Sequence, residues 1–216
     1  LVIALDVSNS MLAQDIRPDR LTRAKQAISR LIDRLQGDRI GIVIFAGKAY
    51  SQLPITSDYG AAKMFLNTIS TEIVPVQGTA IADAISLATE SFKDEDHGKA
   101  IIVITDGENH EGDAVEAAQE AAEAGINVYT IGMGLPEGAP IPVFNSRNQL
   151  TGYKKDKQGN AIISRLNETM LQQIAAAGNG KFVLASNRSG GLEQILEEIS
   201  KLEKAEFETK MFSDYE

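Results

Sequence analysis

Short aliphatic runs alternate along this chain with segments of helical period. Residues 1–5, 39–45, 100–105, 126–131 and 181–184 are near-continuous apolar runs rich in Ile, Val and Leu, the pattern of strands whose two faces are both covered. A sixth run, 50–55, follows the second after a Gly47-Lys48 connection. That link is too short for a parallel crossover, so the run should be an antiparallel edge strand, where Pro54 is tolerated. Between the strands, Leu21, Ala24, Ile28, Leu31, Ile32 and Leu35 recur at three and four residues opposite Arg23, Lys25, Arg30 and Arg34, which is an amphipathic helix. Similar periods run over 59–69, 80–92, 113–124, 168–177 and 192–202, with Asp113 and Asn167 placed as N-caps and Gly125 and Gly178 as stops. Alternating strands and helices predict a doubly wound α/β domain with a mostly parallel sheet.

One stretch interrupts the alternation. Residues 133–165 are rich in Gly, Pro, Asn and Lys, and short pieces at 142–144 and 161–163 flank the turn signal Lys157-Gln158-Gly159-Asn160. It reads as an inserted hairpin outside the hydrophobic core, placed to tune partner choice. The domain is expected to span 1–203, with a polar tail over 204–216.

The formal charge of −9 on 216 residues argues against sequence-independent binding to nucleic acid or to an anionic membrane surface. The absence of Cys excludes thiolate metal sites and disulfides. No apolar run approaches the ~20 residues that span a bilayer. The chain opens without Met inside an apolar run, as a domain taken from a longer protein would.

Candidate chemistry lies at the ends of two strands. The first ends in Asp6-Val7-Ser8-Asn9-Ser10 and the fourth in Thr105-Asp106-Gly107, while Gly78-Thr79 opens the helix between them. In a doubly wound sheet all three loops face the carboxyl edge, where ligands bind. Two carboxylates and three hydroxyls, with no His or Cys, are hard oxygen ligands that suit Mg²⁺ best and Mn²⁺ or Ca²⁺ next. Such a set leaves a coordination position open.

These three segments resemble, in order and spacing, the metal-ion-dependent adhesion site of von Willebrand factor A domains. Arg20-Leu21 with Ala24-Lys25, Asp38-Arg39-Ile40-Gly41 with Phe45-Ala46-Gly47, Gly78-Thr79-Ala80-Ile81 and the tail from 202 to 215 resemble more closely the bacterial aerotolerance (Bat) proteins of the BatB type. The resemblance implies a six-stranded sheet in the order 3-2-1-4-5-6. It also implies a metal site made of Asp6, Ser8, Ser10, Thr79 and Asp106, with the hydroxyls ligating directly or through one water. It further implies a soluble domain on the periplasmic side of the bacterial inner membrane, with the tail leading toward a membrane anchor. The partners it implies are other Bat proteins and a MoxR-type ATPase system.

The expected function is therefore a metal-ion-dependent protein-binding module, not an enzyme, that coordinates Mg²⁺ and a partner carboxylate. Asn9, Met11 and Leu12 are expected to form an exposed rim beside the metal. The alternatives are a Mg²⁺-dependent phosphate-ester hydrolase and a metal-independent scaffold. A haloacid-dehalogenase-type phosphatase would need an acid where Ser8 stands, and no nucleophile-base pair supports hydrolysis. Residues 41–48 superficially resemble a P-loop, but the spacing is wrong and Ala49 replaces Ser or Thr. The bland readings are N-capping for the Asp and Ser residues, surface loops for His97 and His110, and a solvated helix face for Glu108, Glu111, Asp113, Glu116, Glu120 and Glu123. Lys154, Lys155 and Lys157 form the densest basic spot and read as a solubilising feature of the insertion.

Overall fold

A computed structural model describes residues 1–92, 98–108, 113–147, 149–185 and 195. In chain order the elements are β1 (Val2–Asp6), a 3-10 turn (Asn9–Leu12), α1 (Arg20–Ile32), β2 (Ile40–Phe45), β3 (Ala49–Thr56), α2 (Tyr59–Thr68), α3 (Ile81–Glu90) and β4 (Lys99–Thr105). Then follow α4 (Ala114–Glu123), β5 (Ile126–Gly132), the short β6 (Ala139–Pro140), β7 (Pro142–Phe144), β8 (Leu150–Tyr153) and β9 (Ile163–Ser164), α5 (Glu168–Ala177) and β10 (Asn179–Leu184).

The main sheet has six strands in the order β10-β5-β4-β1-β2-β3. Every pair is parallel except β2 with β3, so the edge strand is antiparallel as its short connection requires. Strand side chains alternate between two apolar layers. Ile3, Leu5, Ile42, Ile44, Ile102 and Ile104 pack toward α1 and α2, whereas Val2, Ala4, Val43, Phe45, Ile101 and Val103 pack toward α3, α4 and α5. Burial on both faces is why these strands read as continuous apolar runs. Ile195 is buried in the α1 layer, but the rest of the helix expected at 192–202 and the tail lie outside the described residues.

The helix starts are chemically marked. Asp19 caps α1 by accepting from the Thr22 amide at 2.7 Å, and Asp113 caps α4 through the amides of Val115 and Glu116, each at 3.0 Å. Asn167 caps α5. The α3 start has no side-chain cap. Lys25, expected on a solvated face, instead donates its Nζ to the carbonyls of Asn67 and Ile69, at 3.0 and 2.6 Å, at the C-terminus of α2. Carbonyls left open at a helix end attract such a cation. Partial burial of this ammonium lowers its pKa.

The insertion differs from the expected single hairpin. β7 pairs with β8 and β6 pairs with β9, making two small antiparallel sheets. The turn at 157–160 is present, closed by Gly159 at φ 88° and by the Asp156 amide on the Asn160 carbonyl at 2.9 Å, but its flanks make only a bridge between Lys155 and Ala161. The stems of the insertion also do not stand outside the core. Met133, Ile141, Ser164 and Leu166 are all buried, and the Leu166 amide closes the neck on the Leu135 carbonyl. The apolar residues near each end are few but join the main core, Met133 on the α1 side and Leu166 on the α5 side. β7 and β8 project, exposing Val143, Phe144, Leu150 and Tyr153, and the turn over 154–161 is exposed as well.

Candidate metal centre

Strand register brings the first and third loops together. Leu5 lies opposite Ile104 and Asp6 opposite Phe45, so Asp6 sits beside Thr105, one residue before Asp106. Asp6 is fully buried. One carboxylate oxygen accepts the Ser8 amide at 2.8 Å and the other accepts the Thr105 hydroxyl at 2.6 Å. The hydroxyls of Ser8, the residue that leads into the 3-10 turn, and Ser10 within it meet at 2.8 Å, and both residues are buried. The turn is therefore wound so that alternate oxygens converge on one spot, while Val7 and Met11 turn into the core.

The second loop is placed by glycines. The Gly47 amide bonds to the Val76 carbonyl, and the Ala80 amide bonds to the Ala46 carbonyl at 2.7 Å. A Cβ on Gly47 would stand 2.8 Å from the Gln77 carbonyl oxygen, and one on Gly78, whose φ is 142°, would stand 3.1 Å from the Gly47 Cα. Backbone meets backbone only because both positions lack a side chain, and this sets Thr79, 2% exposed, against the strand edge. Gln77 adds a link by accepting the Asn9 amide at 3.0 Å. The third loop is held by the Asn167 amide on the Asp106 carbonyl at 2.8 Å, next to Gly107 at φ 75°.

Asp106 is also fully buried and has a partner that the motif reading did not assign. Arg20 Nη1 donates to Asp106 Oδ2 at 2.8 Å, and the Ser164 hydroxyl donates to the same oxygen at 2.9 Å. Arg20 is in turn clamped by Asp15, Nε to Oδ1 at 2.9 Å and Nη2 to Oδ2 at 2.7 Å. The sequence did carry a signal for this arginine. It stands one residue before Leu21 and four before Ala24, within the apolar stripe of α1, so a helix in that register turns its side chain toward the sheet. Burial alone would raise the Asp15 pKa, but the hydrogen bonds and charge of Arg20, with the Leu135 and Ile16 amides, hold it below the ordinary value.

Asp6 has no such neighbour. Burial, then the charge of Asp106, push its pKa up to about 7 against the weaker opposing pull of Thr105 and Ser8. Among the described residues no basic side chain pairs with it. A buried carboxylate that lacks a cation, flanked by two hydroxyls and a second carboxylate, is the chemistry of a hard divalent-cation site. The residues fit the group that the sequence implied. The rim fits less well: Asn9 and Leu12 are partly exposed, but Met11 is fully buried. The reason is the winding of the 3-10 turn, which points position 11 away from the Ser8 and Ser10 hydroxyls. His97, His110 and Glu111 lie outside the described residues. Asp113, Glu116, Glu120 and Glu123 are exposed along α4 or at its cap, as a solvated face should be, but Glu108 precedes the helix, half-buried, and accepts the Arg165 amide at 3.4 Å.

A family model for the von Willebrand factor type A domain matches residues 1–108, the half of the chain that holds Asp6, Ser8, Ser10, Thr79 and Asp106. The chain belongs to the von Willebrand factor type A family. Among its solved relatives, an aerotolerance-related membrane protein from Bacteroides fragilis is 51% identical, with 93% of this chain and 98% of that one covered and a TM-score of 0.87. The protein BatB from Bacteroides thetaiotaomicron is 54% identical over the same shares, with a TM-score of 0.85. A more distant type A structure, proximal thread matrix protein 1 of the mussel byssus, is described with a zinc-occupied MIDAS motif; it is 21% identical over 93% of this chain and 44% of that one, with a TM-score of 0.64, and shows the shared fold. Curated relatives include a UPF0353 protein of Mycolicibacterium gilvum, 25% identical over 94% of this type A chain, which spans 59% of that relative's length. Among the described residues no helix is long and apolar enough to cross a membrane.

Proposed function

We propose that this type A domain is a metal-ion-dependent protein-binding module. Asp6, Ser8, Ser10, Thr79 and Asp106 would hold Mg²⁺, with Mn²⁺ or Ca²⁺ able to substitute, and a Glu or Asp of the partner would take the open position. The observation that carries this reading is the buried Asp6 carboxylate, without a basic neighbour among the described residues, set among the Ser8 and Ser10 hydroxyls on the edge that Thr79 and Asp106 share. When bound, the metal would act as a Lewis acid toward the partner's carboxylate. The protein's part is to keep that edge near neutral. Asp6 and Asp106 balance a divalent cation, and Arg20 balances Asp15, so an incoming anion meets no net repulsion.

The likeness to aerotolerance-related relatives supports placing the whole protein as a membrane-anchored aerotolerance-type component, with this domain on the periplasmic side of the inner membrane. Other Bat proteins and a MoxR-type ATPase system are the partners to test first. Calorimetric titration with Mg²⁺, Mn²⁺ and Ca²⁺ tests the core of the proposal. Saturable binding in the wild type and its loss in Asp6→Ala are expected, and a wild-type domain that binds none of the three would overturn it.

A further inference from the structure

The buried arginine does more than neutralise a carboxylate, because its partners come from three separate parts of the chain. Nη1 reaches Asp106 Oδ2 at 2.8 Å, the Ser164 hydroxyl at 2.6 Å and the Ser10 carbonyl at 3.4 Å. Asp106 and Ser10 belong to two of the metal loops; Ser164 closes the insertion. Nη2 reaches the Ser164 carbonyl at 3.2 Å as well as Asp15. Asp15 Oδ2 accepts the Leu135 amide at 2.9 Å, which lies at the start of the insertion. Both stems of the insertion are therefore hydrogen-bonded to the same buried Asp15–Arg20–Asp106 chain.

The insertion is also shaped to receive the guanidinium. Gly134 has φ 134°, and a Cβ there would stand 2.7–2.8 Å from Cζ, Nη2 and Nε of Arg20, so the guanidinium lies on the insertion's backbone where only glycine leaves room. Gly138 packs as closely on the other stem, since its Cβ would stand 2.3 Å from the Ser164 carbonyl oxygen. The arrangement leaves little slack: neither stem can shift without moving a donor to Asp106. Meanwhile Arg20 and Ser164 both occupy Oδ2 of Asp106. Among the described residues the other oxygen, Oδ1, accepts the Glu108 amide at 3.2 Å.

We propose that Arg20 is a positioning residue of the metal edge that fixes Asp106 by one oxygen and ties its orientation to both stems of the insertion. Occupation of the metal edge and the arrangement of the insertion are then linked. By reciprocity, a partner that engages the projecting β7 and β8 alters metal affinity by the same factor by which metal alters its own. This inference rests on the metal-binding reading given above.

Ser164→Ala is the informative variant, since it removes one hydroxyl that donates to Asp106 and accepts from Arg20 while leaving the backbone in place. Arg20→Lys is its companion, which keeps the charge but not the planar fork. The metal-free melting temperature of Ser164→Ala confirms that it folds. Mn²⁺ affinity is then measured by calorimetry, and backbone hydrogen exchange is followed over 133–141 and 161–166 with and without Mn²⁺. In the wild type, Mn²⁺ should slow exchange in both stems. In Ser164→Ala, affinity should fall roughly tenfold, the usual effect of losing a group that orients a metal ligand, and the slowing of the stems should be largely lost. Arg20→Lys should show the same two losses. Wild-type Mn²⁺ binding that leaves the stems unchanged, or a folded Ser164→Ala with wild-type affinity and slowing, overturns the link while leaving the metal site standing. A flat wild-type titration removes the metal reading first, and this inference with it.

Discussion

Replacing Asp6 by Asn should make the metal-free domain more stable, because the native carboxylate is buried against a second one. Its pKa is pushed from the ordinary 3.8 up to about 7, which corresponds to about 4 kcal/mol of destabilisation once Asp6 is fully ionised. Asn is close to isosteric and carries no charge. It keeps an oxygen for the Ser8 amide, but it must turn an NH₂ toward the Thr105 hydroxyl, which then has to accept instead of donate. Allowing for that poorer geometry, a net gain of about 2 kcal/mol is expected above pH 7, or roughly 4–8 °C for a domain of this size.

The pH dependence identifies the cause. Between pH 3.8 and about 7 the folded wild type retains a proton that the unfolded chain has released, so its stability falls as pH rises through this window and levels off above it. The Asp6→Asn variant lacks this fall. Because the geometric cost of about 2 kcal/mol applies at every pH, the variant should be less stable than the wild type near pH 4, about level with it slightly above pH 5 and ahead by about 2 kcal/mol at pH 8. Thermal melts in chelator at pH 5 and 8 measure it. Saturating Mg²⁺ should reverse the order, since a ligand at a hundredfold excess over its Kd adds ~2.7 kcal/mol to the wild type alone. An Asp6→Asn variant that is no more stable than the wild type in chelator at pH 8, or whose advantage is the same at both pH values, would refute the reasoning.

Gly107→Ala should cost about 2–3 kcal/mol, because its Cβ would stand 2.8 Å from the Asn167 carbonyl oxygen and φ is 75°; a chemical denaturation midpoint checks this, and an unchanged midpoint would mean that the third loop yields. Replacing only the projecting 143–152 with a short Gly-Ser turn should leave folding and Mg²⁺ binding intact, whereas removing all of 133–165 should abolish cooperative melting, since Met133, Ile141 and Ser164 are buried. Phosphate-ester substrates should show no turnover that depends on Asp106, because among the described residues the only base beside a hydroxyl at this edge is Asp6, itself an expected metal ligand; activity lost in Asp106→Asn would count against the binding-module reading.

The order of elements and the polar residues to be expected at the carboxyl edge were legible in the sequence because each depends on short-range pattern. A strand covered on both faces must be apolar throughout, a helix on a sheet must repeat at three and four residues, and Asp6, Ser8 and Ser10 are brought together by one turn. Thr79 and Asp106 could be added from the sequence because a parallel sheet places the ends of its strands on one edge. The tertiary structure alone decided which carboxylate is compensated. Arg20 reaches Asp106 from 86 positions away and Ser164 from 58, and no local period reports such a meeting. It also decided two of the misreadings. Met11 is an apolar residue in a polar loop, and only the winding of the 3-10 turn sends it inward. The insertion is polar on average, yet Met133, Ile141 and Ser164 within it are buried, because burial depends on what covers a residue and not on the composition of the segment around it.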